Sequence, residues 1–432
     1  MDEPSMQLVS EIGTHLAQRA RPNKDFIVKS LRKAANALSQ LKQSPQPRTA
    51  KEVQAAKKLE AALKPLANAV VCSGLLQHAD KEVRLLLAIC VTELFRLMAP
   101  EPPFEDKHLR DVFKLIISLF ADLADTASPF FSKRDKVLDT VAQVRCCVIM
   151  LEIGCIDLVH EMFNIFFSVV RDEHHDSLIS AMTSILINIL NESEEASQQL
   201  LEVILRNLIK EKKVFLTNQQ DAAYQLAASV IKTCAQEDEL NLLVCGFLTS
   251  CIHNRDAMGS ELKEYYHEIF FKVFECAPQM LLAVIPSLIK ELLADEVDVR
   301  IKAVNLVGKL FALPEHHVAQ KYHDLFVEFL KRFSDKSVDV RISALQCAKD
   351  FYLANPYGRE SIITSVEDRL LDFDDQVRKL AVLVACDISS SNPKLVSSKL
   401  LSQATDRLWD KKACAVEFVC PLKDEIVKIQ NF

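Results

Sequence analysis

The chain has 432 residues, of which 49% are hydrophobic and 26% are charged, and its formal net charge is −7 at pH 7. This composition excludes a disordered chain, and the length is too great for a single hydrophobic core. Only 7 residues are glycine. A doubly wound sheet or a β-sandwich of this size needs more glycine for its turns, whereas long helices joined by short loops need little.

The N-terminus and the cysteines predict a protein of a reducing compartment. The first residues, MDEPSMQLVSEIG, lack the basic and apolar regions of a signal peptide. No window of about 18 uncharged apolar residues is present, so we expect no membrane span. The 13 cysteines form no Cys-x-x-Cys pair, and most lie in apolar stretches. This pattern predicts buried thiols rather than disulfides.

Positive charge is concentrated near the N-terminus, in a predicted basic helical segment over residues 1–64. Residues 17–64 hold twelve Lys or Arg and three Asp or Glu, a balance of +9, which leaves −16 for the rest (−7 minus +9). Only Phe26 is aromatic in the basic cluster there, which disfavours base stacking. The cluster can hold a polyanionic small molecule or duplex DNA, and the alternative is a solvated helix face. Its members are Arg19, Arg21, Lys24, Lys29, Arg32 and Lys33.

Helical periodicity then continues to the C-terminal region. Between Asp80 and Met98, apolar residues recur every three or four positions, which is typical of an amphipathic helix. We count about nineteen segments of this kind. The breaks between them are short, as at residues 99–103 and 355–356, and no alternating run predicts a sheet.

A unit of roughly 40 residues recurs in the sequence. The arginines of its last three copies, Arg300, Arg341 and Arg378, are 41 and 37 residues apart. These copies predict an all-α fold, a HEAT-repeat α-solenoid over residues 65–412, built as a right-handed superhelix of antiparallel helix pairs. The alternative is a set of unrelated helical bundles. The repeated residues are Asp295, Val299, Arg300 and Ala303; Asp335, Val340, Arg341 and Ala344; Asp374, Asp375, Val377, Arg378 and Ala381; and, earlier, Asp80, Val83 and Arg84, with Leu87 in place of the alanine.

Each repeated position has a physical role. The aspartate lies in the turn between two helices and can cap the second one. The valine is the first buried residue of that helix, and the small alanine allows its neighbour to approach. The arginine can reach an aspartate of the adjacent unit. We therefore assign Arg84, Arg300, Arg341 and Arg378 to a structural ladder between repeats.

The sequence contains no glycine-rich nucleotide loop and no His-Glu-x-x-His. His174-His175 and His316-His317 are paired histidines, and Cys251-x-His253 is a possible ligand pair, but we interpret these histidines as ordinary surface or capping residues. Adjacent residues of a helix point to different sides and rarely chelate one metal. We therefore predict that the chain is not an enzyme and has no metal site.

Two long stretches carry a family resemblance, LMAPEPPFEDKHLRDVFKLI from Leu97 and SPFFSKRDKVLDTVAQVRCCVIML from Ser128. They resemble signature stretches of the precocious-dissociation-of-sisters (Pds) proteins, HEAT-repeat regulators of cohesin, and are most similar to the plant members. The stretch LLAVIPSLIKELLADEVDVR follows in the family's order. The resemblance covers roughly residues 70–412.

The resemblance implies a nuclear, non-enzymatic regulator of sister-chromatid cohesion in mitosis that also assists recombinational DNA repair. The implied partners are cohesin, bound through its kleisin subunit, the Wings-apart-like release factor and a cohesin acetyltransferase. Any association with chromatin would be indirect, and no small-molecule substrate is implied. No cofactor is required, although some members carry an inositol polyphosphate on their N-terminal repeats, which would suit the basic segment.

The joint after the helix that ends near Leu97 is the predicted partner-docking edge. Its prolines fix an exposed turn, and Phe104 offers an apolar anchor. The alternative is a rigid connector between repeats. The edge consists of Ala99, Pro100, Glu101, Pro102, Pro103 and Phe104.

Members of the family continue far beyond 432 residues, so we interpret this apparently C-terminally truncated chain as a truncated isoform, a short paralogue or a mispredicted gene end. Residues 413–432 form a predicted divergent tail, in which the arginine expected after its valine is missing. Kleisin binding would then depend partly on repeats that are absent. The alternative functions are a HEAT-repeat adaptor or nuclear transport receptor, which would lack the two signature stretches, and an enzyme with a HEAT-shaped body.

Overall fold

A computed structural model describes residues 3–18, 23–43, 49–72, 74–193, 197–209, 219–253, 260–391 and 398–407. Within these ranges the backbone forms 21 α-helices and no strand, which confirms the predicted all-α fold. None of the described helices combines the length and apolar character needed to cross a bilayer. The described residues separate into two compact units, one up to Leu243 and one from Val244.

The first unit is built from two layers of helices. In one layer α2, α4, α6, α9 and α11 pack in succession, and in the other α5, α8 and α10 do so, while α1 packs on α3. The helices are α1 Glu3–Gln18, α2 Lys24–Gln40, α3 Ala50–Cys72, α4 Lys81–Met98, α5 Asp106–Phe120, α6 Phe131–Val144, α7 Ile149–Glu152, α8 Ile156–Val169, α9 Asp176–Glu192, α10 Ser197–Leu208 and α11 Gln219–Cys234.

The second unit repeats this layering with the predicted HEAT pairs. Helices α13, α15, α18 and α20 pack in succession, and α14, α17, α19 and α21 form the other layer. The bounds are α12 Asp238–His253, α13 Tyr266–Cys276, α14 Leu288–Leu292, α15 Val297–Phe311, α16 Val318–Lys321, α17 His323–Lys331, α18 Val338–Ala354, α19 Arg359–Arg369, α20 Asp375–Ser391 and α21 Ser398–Arg407. The predicted boundaries at residues 64 and 412 stay predictions.

The arginine ladder is present in the second unit, and Arg300 shows its geometry most fully. The Arg300 guanidinium donates to the carbonyl oxygens of Ala294 at 2.7 Å and Asp295 at 2.8 Å, in the turn of its own repeat. Its other two nitrogens donate to the two carboxylate oxygens of Asp335, each at 3.1 Å, in the next repeat. Both side chains are 3% exposed. One buried cation therefore holds two consecutive turns together.

Arg341 makes similar contacts one unit later, with a single bond to the carboxylate. It donates to the Asp335 carbonyl oxygen at 2.9 Å and to the Asp372 carboxylate at 2.8 Å. Two further arginines, which the repeat pattern did not single out, approach the same carboxylates: Arg332 lies 2.9 Å from Asp335 and Arg369 lies 3.0 Å from Asp372. Each buried aspartate therefore meets two guanidinium groups, which offsets the cost of its desolvation.

Helix capping by the repeated aspartates is confirmed for Asp80, which accepts from the Glu82 amide at 3.0 Å at the start of α4. Asp335 instead binds the turn before α18, where it accepts from the Ser337 amide at 2.9 Å. In the last described repeat Asp372 receives Arg341 and also accepts from the Asp374 amide at 3.0 Å, in the same way as Asp335. Asp374 caps α20 by accepting from the Gln376 amide at 2.9 Å.

The ladder prediction is wrong for Arg84. Its guanidinium donates to the hydroxyl of Ser118 on α5, and in the described part of the chain it meets no carboxylate. A comparable contact in this unit is made by Arg134, which lies 2.9 Å from the Asp122 carboxylate. Arg134 is outside the Val-Arg pattern, so the repeat search did not find it.

Close packing accompanies the ladder. Ala303, Ala344 and Ala381 are fully buried, as predicted. Gly308 on α15 leaves room for Cys347 of α18, because a side-chain carbon added at Gly308 would overlap that cysteine. The repeated valines are also buried, except that Val299 is half-buried.

His174 is a buried structural residue of the first unit and was wrongly interpreted as surface or capping. It is 5% exposed. Its Nδ1 accepts from the Arg171 amide at 3.2 Å, so Nε2 is the donor to the Leu123 carbonyl oxygen at 3.0 Å. Burial lowers the pKa of His174 below its usual value. The ring is therefore held neutral between two turns.

Replacing Arg300 by alanine should lower the free energy of unfolding by about 3 kcal/mol, since it leaves the buried Asp335 with only part of its partners. The matched control is Lys349→Ala on α18, whose exposed pair with Asp387 should be worth under about 1 kcal/mol. Chemical denaturation followed by circular dichroism measures both losses. Equal losses for the two variants would rule out a structural ladder.

Lowering the pH should destabilise the first unit through His174. Because the folded-state pKa of His174 lies below the unfolded value, its contribution to stability is complete above about pH 6.5 and is lost as the pH falls from there through the folded-state pKa. The measurement is the free energy of unfolding at pH 7.5 and at pH 5.5. His174→Gln, which keeps one donor and one acceptor, should flatten the slope of stability against pH. An unchanged slope in His174→Gln would contradict the assignment.

Candidate docking cleft and basic segment

The predicted docking edge lies where α4 ends. The Ala99 amide donates to the Phe95 carbonyl oxygen at 3.0 Å, which completes the last turn of the helix. The Ala99–Pro100 peptide bond is cis, and Pro100, Glu101 and Pro102 are exposed. The chain then returns inward before α5 begins at Asp106.

Phe104 is not an exposed anchor, and that part of the prediction is wrong. Its side chain is 7% exposed and meets the ring of Phe95 edge-on, with centroids 5.7 Å apart. Phe95 in turn stacks on Phe113 of α5 at 5.8 Å. The three rings form a small internal cluster that fixes the joint to the helices on both sides.

A cleft of about 1000 Å³ opens beside the exposed part of the joint. Its opposite wall comes from α3, where Val53 is 39% exposed and Leu59 lies at the floor. Sequence reasoning missed this wall, because α3 lies about 40 residues before the joint in the chain. We call this feature the α3–α4 cleft. Its lining residues are Gln43, Val53, Ala56, Lys57, Leu59, Glu60, Leu97, Met98, Ala99, Pro100, Glu101, Pro102 and Val144.

Arg96 braces the rim of the α3–α4 cleft. It is anchored to Glu93, with Nε 2.7 Å from the carboxylate, and it donates to the carbonyl oxygens of Leu38 at 3.1 Å and Leu41 at 3.0 Å. Gln43 donates to the Ala99 carbonyl oxygen at 3.0 Å. The residues after α2 and the end of α4 are therefore tied together, and the cleft has a preformed shape.

The basic cluster is only partly available to an anion. Lys24 pairs with Asp80 at 2.6 Å and Arg32 pairs with Glu82 at 2.8 Å, so both fasten α2 to the start of α4. The Lys24 ammonium holds the pKa of Asp80 below its usual value. Lys29 and Lys33 are exposed.

Two further members of the cluster, Arg19 and Arg21, lie outside the described residues. The polyanion site therefore stays a prediction.

No group of three or more metal-ligating side chains occurs within the ranges that the structure describes. His175 caps α9 by accepting from the Leu178 amide at 3.2 Å. Buried cysteines are held as thiols, and burial raises the pKa of Cys90 to about 12.

Residues 25–415 match the family model described as "Sister chromatid cohesion protein PDS5 protein". The chain belongs to the PDS5 family of sister chromatid cohesion proteins. This finding favours the cohesion-protein hypothesis over the transport-receptor alternative. The signature stretches at residues 97–116 and 128–151 lie inside the matched range.

Curated relatives show how much of a PDS5 protein the chain represents. It is 38% identical over 429 residues to sister chromatid cohesion protein PDS5 homolog A of Arabidopsis thaliana, covering 99% of this chain and 26% of that protein. It is 28% identical over 351 residues to human PDS5 homolog A, covering 81% of this chain and 26% of that protein. The chain thus spans about a quarter of the length of these relatives.

A solved structure supports the fold. A chain in the structure of a Pds5–Scc1 complex superposes with a TM-score of 0.70 at 18% identity, covering 90% of this chain and 57% of that chain.

Replacing Phe104 by alanine should cost about 3 kcal/mol of unfolding free energy, because it empties part of a buried aromatic cluster. Pro102→Ala, at an exposed position of the same joint, should change it by less than about 0.5 kcal/mol. Denaturant titration of both variants gives the comparison. A loss below about 1 kcal/mol for Phe104→Ala would restore the exposed-anchor hypothesis.

Proposed function

We propose that this chain is a non-catalytic scaffold that regulates sister chromatid cohesion by binding cohesin. The observation that carries this proposal is the family match over residues 25–415. The layered helix pairs support it, because repeats of this kind offer extended surfaces on which flexible protein segments can lie.

The kleisin subunit of cohesin is the first partner that we propose. The structural neighbour is a Pds5 protein in complex with Scc1, and its fold is shared over 90% of this chain. The Wings-apart-like release factor and a cohesin acetyltransferase are further proposed partners. A nuclear location, action in mitosis and a part in recombinational repair belong to the same proposal.

The α3–α4 cleft is the surface that we assign to a short partner segment. Its floor is apolar, with Leu59 and Leu97, and its exposed rim carries Lys57 and Glu60. An extended segment with one apolar residue at its centre and polar residues on both sides fits such a cleft. Because Arg96 and Gln43 already hold the rim in place, the cleft should lose little conformational entropy when a partner binds.

The proposal is tested by binding of the purified chain to purified partners, namely the kleisin, the release factor and the acetyltransferase. We expect at least one cohesin-associated partner to bind. Binding of none of them, by a chain that circular dichroism shows to be folded, would overturn the scaffold function for residues 1–432.

Val53→Glu tests the cleft separately, because it places a charge on the apolar wall. It should weaken the partner that uses the cleft about tenfold or more, which corresponds to at least about 1.4 kcal/mol. Leu8→Glu is the matched control, since Leu8 on α1 is 38% exposed, close to the 39% of Val53, and does not line the cleft. Isothermal titration calorimetry measures both. Equal affinities for the two variants would show that the partner does not bind in the α3–α4 cleft. The proposal that the chain binds cohesin would not be affected.

A further inference from the structure

The loop between α5 and α6 presents a serine that is followed by proline. Asp125, Thr126, Ala127 and Pro129 are exposed, and Ser128 is half-buried among them. The Ser128 hydroxyl accepts from the Phe130 amide at 3.3 Å, and in the described part of the chain it donates no hydrogen bond. The Ser128 hydroxyl can therefore act as a nucleophile. Pro129 follows it, which gives the Ser-Pro sequence that proline-directed protein kinases select.

A buried cation lies directly beneath this hydroxyl. Arg134 is 5% exposed, and its Nη1 lies 3.3 Å from Ser128 Oγ. The same guanidinium holds Asp122, with 2.9 Å from Nη2 to the carboxylate and 3.3 Å from Nη1 to the carbonyl oxygen. Among the described residues its buried Nε has no hydrogen-bond partner. Arg134 thus brings a buried positive charge, already hydrogen-bonded through Nη1, to the Ser128 hydroxyl.

The start of α6 adds to the positive potential at this place. The helix begins at Phe131, three residues after Ser128, and its first turn contains Lys133 and Arg134 but no acidic residue. Amide groups at a helix N-terminus favour an anion. The buried, incompletely satisfied Arg134 is an independent observation that points to the same kind of ligand.

We infer that Ser128 is a phosphorylation site whose phosphate is received by Arg134 and the N-terminus of α6. Ser128 Oγ attacks the γ-phosphorus of a nucleoside triphosphate held by the kinase. The Oγ–P bond forms while the P–O bond to the nucleoside diphosphate breaks, and the hydroxyl proton passes to a base of the kinase. The product is a phosphoserine and a nucleoside diphosphate.

The phosphate then competes with Asp122 for one guanidinium. A phosphoserine carries up to two negative charges and three acceptor oxygens, against one charge on the carboxylate. Lys81 lies 4.0 Å from Asp122 and can keep that carboxylate compensated after Arg134 turns to the phosphate. Modification therefore exchanges partners within a cluster of charges that already links α4, the loop and α6.

The first experiment treats the full folded chain with a purified proline-directed kinase and ATP, and locates phosphate by mass spectrometry. A Ser44→Ala background removes the only other Ser-Pro pair of the sequence, which lies outside the described residues. We expect phosphate at Ser128, its loss in Ser128→Ala, and at least a tenfold slower reaction in Pro129→Ala. A folded chain that stays unmodified at Ser128, while its urea-unfolded form is modified, would overturn the proposal.

The second experiment tests whether the fold receives the phosphate. The ³¹P resonance of the modified chain is titrated with pH beside a phosphopeptide of residues 125–132. The second ionisation should fall below the ordinary value of about 6 for phosphoserine, because Arg134 favours the dianion. Asp122→Asn, which removes the competing carboxylate and leaves Arg134 in place, should lower it further. Identical titrations of protein and peptide would show that Arg134 and α6 do not hold the phosphate.

Discussion

The second unit depends on one interaction, a buried guanidinium that is shared between consecutive turns. Arg300 closes the turn of its own repeat through two carbonyl oxygens and grips Asp335 of the next repeat through both carboxylate oxygens. A charge buried to this degree is costly unless every donor has an acceptor in place. The repeats are therefore held in one register, since a shift of either helix pair would leave the buried guanidinium without its carboxylate. Apolar packing, including the contact at Gly308, stabilises the helix pairs against one another. The arginine determines which turn of the next repeat each helix pair contacts.

Much of this arrangement could be predicted because it is local and periodic. The spacing of apolar residues gives the helices, and the recurring Val-Arg pairs give the repeat, since both depend on residues that are close in sequence. Partners of long side chains could not be predicted in the same way. Arg341 selects Asp372 rather than Asp374, and Arg84 selects the hydroxyl of Ser118, because those choices depend on how two helices dock. The prediction for Phe104 was wrong for a related reason. Its position beside three prolines suggested an exposed side chain, whereas in the fold its ring packs against Phe95.

The two candidate surfaces show how tertiary structure changes the meaning of a sequence pattern. Charge counting marks the N-terminal segment as a basic cluster, yet Lys24 and Arg32 are used to hold α2 against α4. A proline-rich joint alone suggests a protruding edge. In the structure that joint is one wall of a cleft, and the other wall is contributed by α3. Binding capacity therefore lies between elements that are separate in the sequence, where periodicity carries no information.

The spacing of the ladder has a consequence for how such arrays change during evolution. Arg300 and Arg341 reach aspartates that lie 35 and 31 residues further along the chain, and each aspartate stands in a turn. Duplicating or deleting a whole unit leaves every guanidinium opposite a carboxylate. Residues inserted at the helix ends away from these turns also leave the pairing intact. A deletion that removes an aspartate but keeps the arginine of the preceding unit buries a cation without a counter-ion. Gene rearrangements that preserve folding should thus be counted in complete repeats.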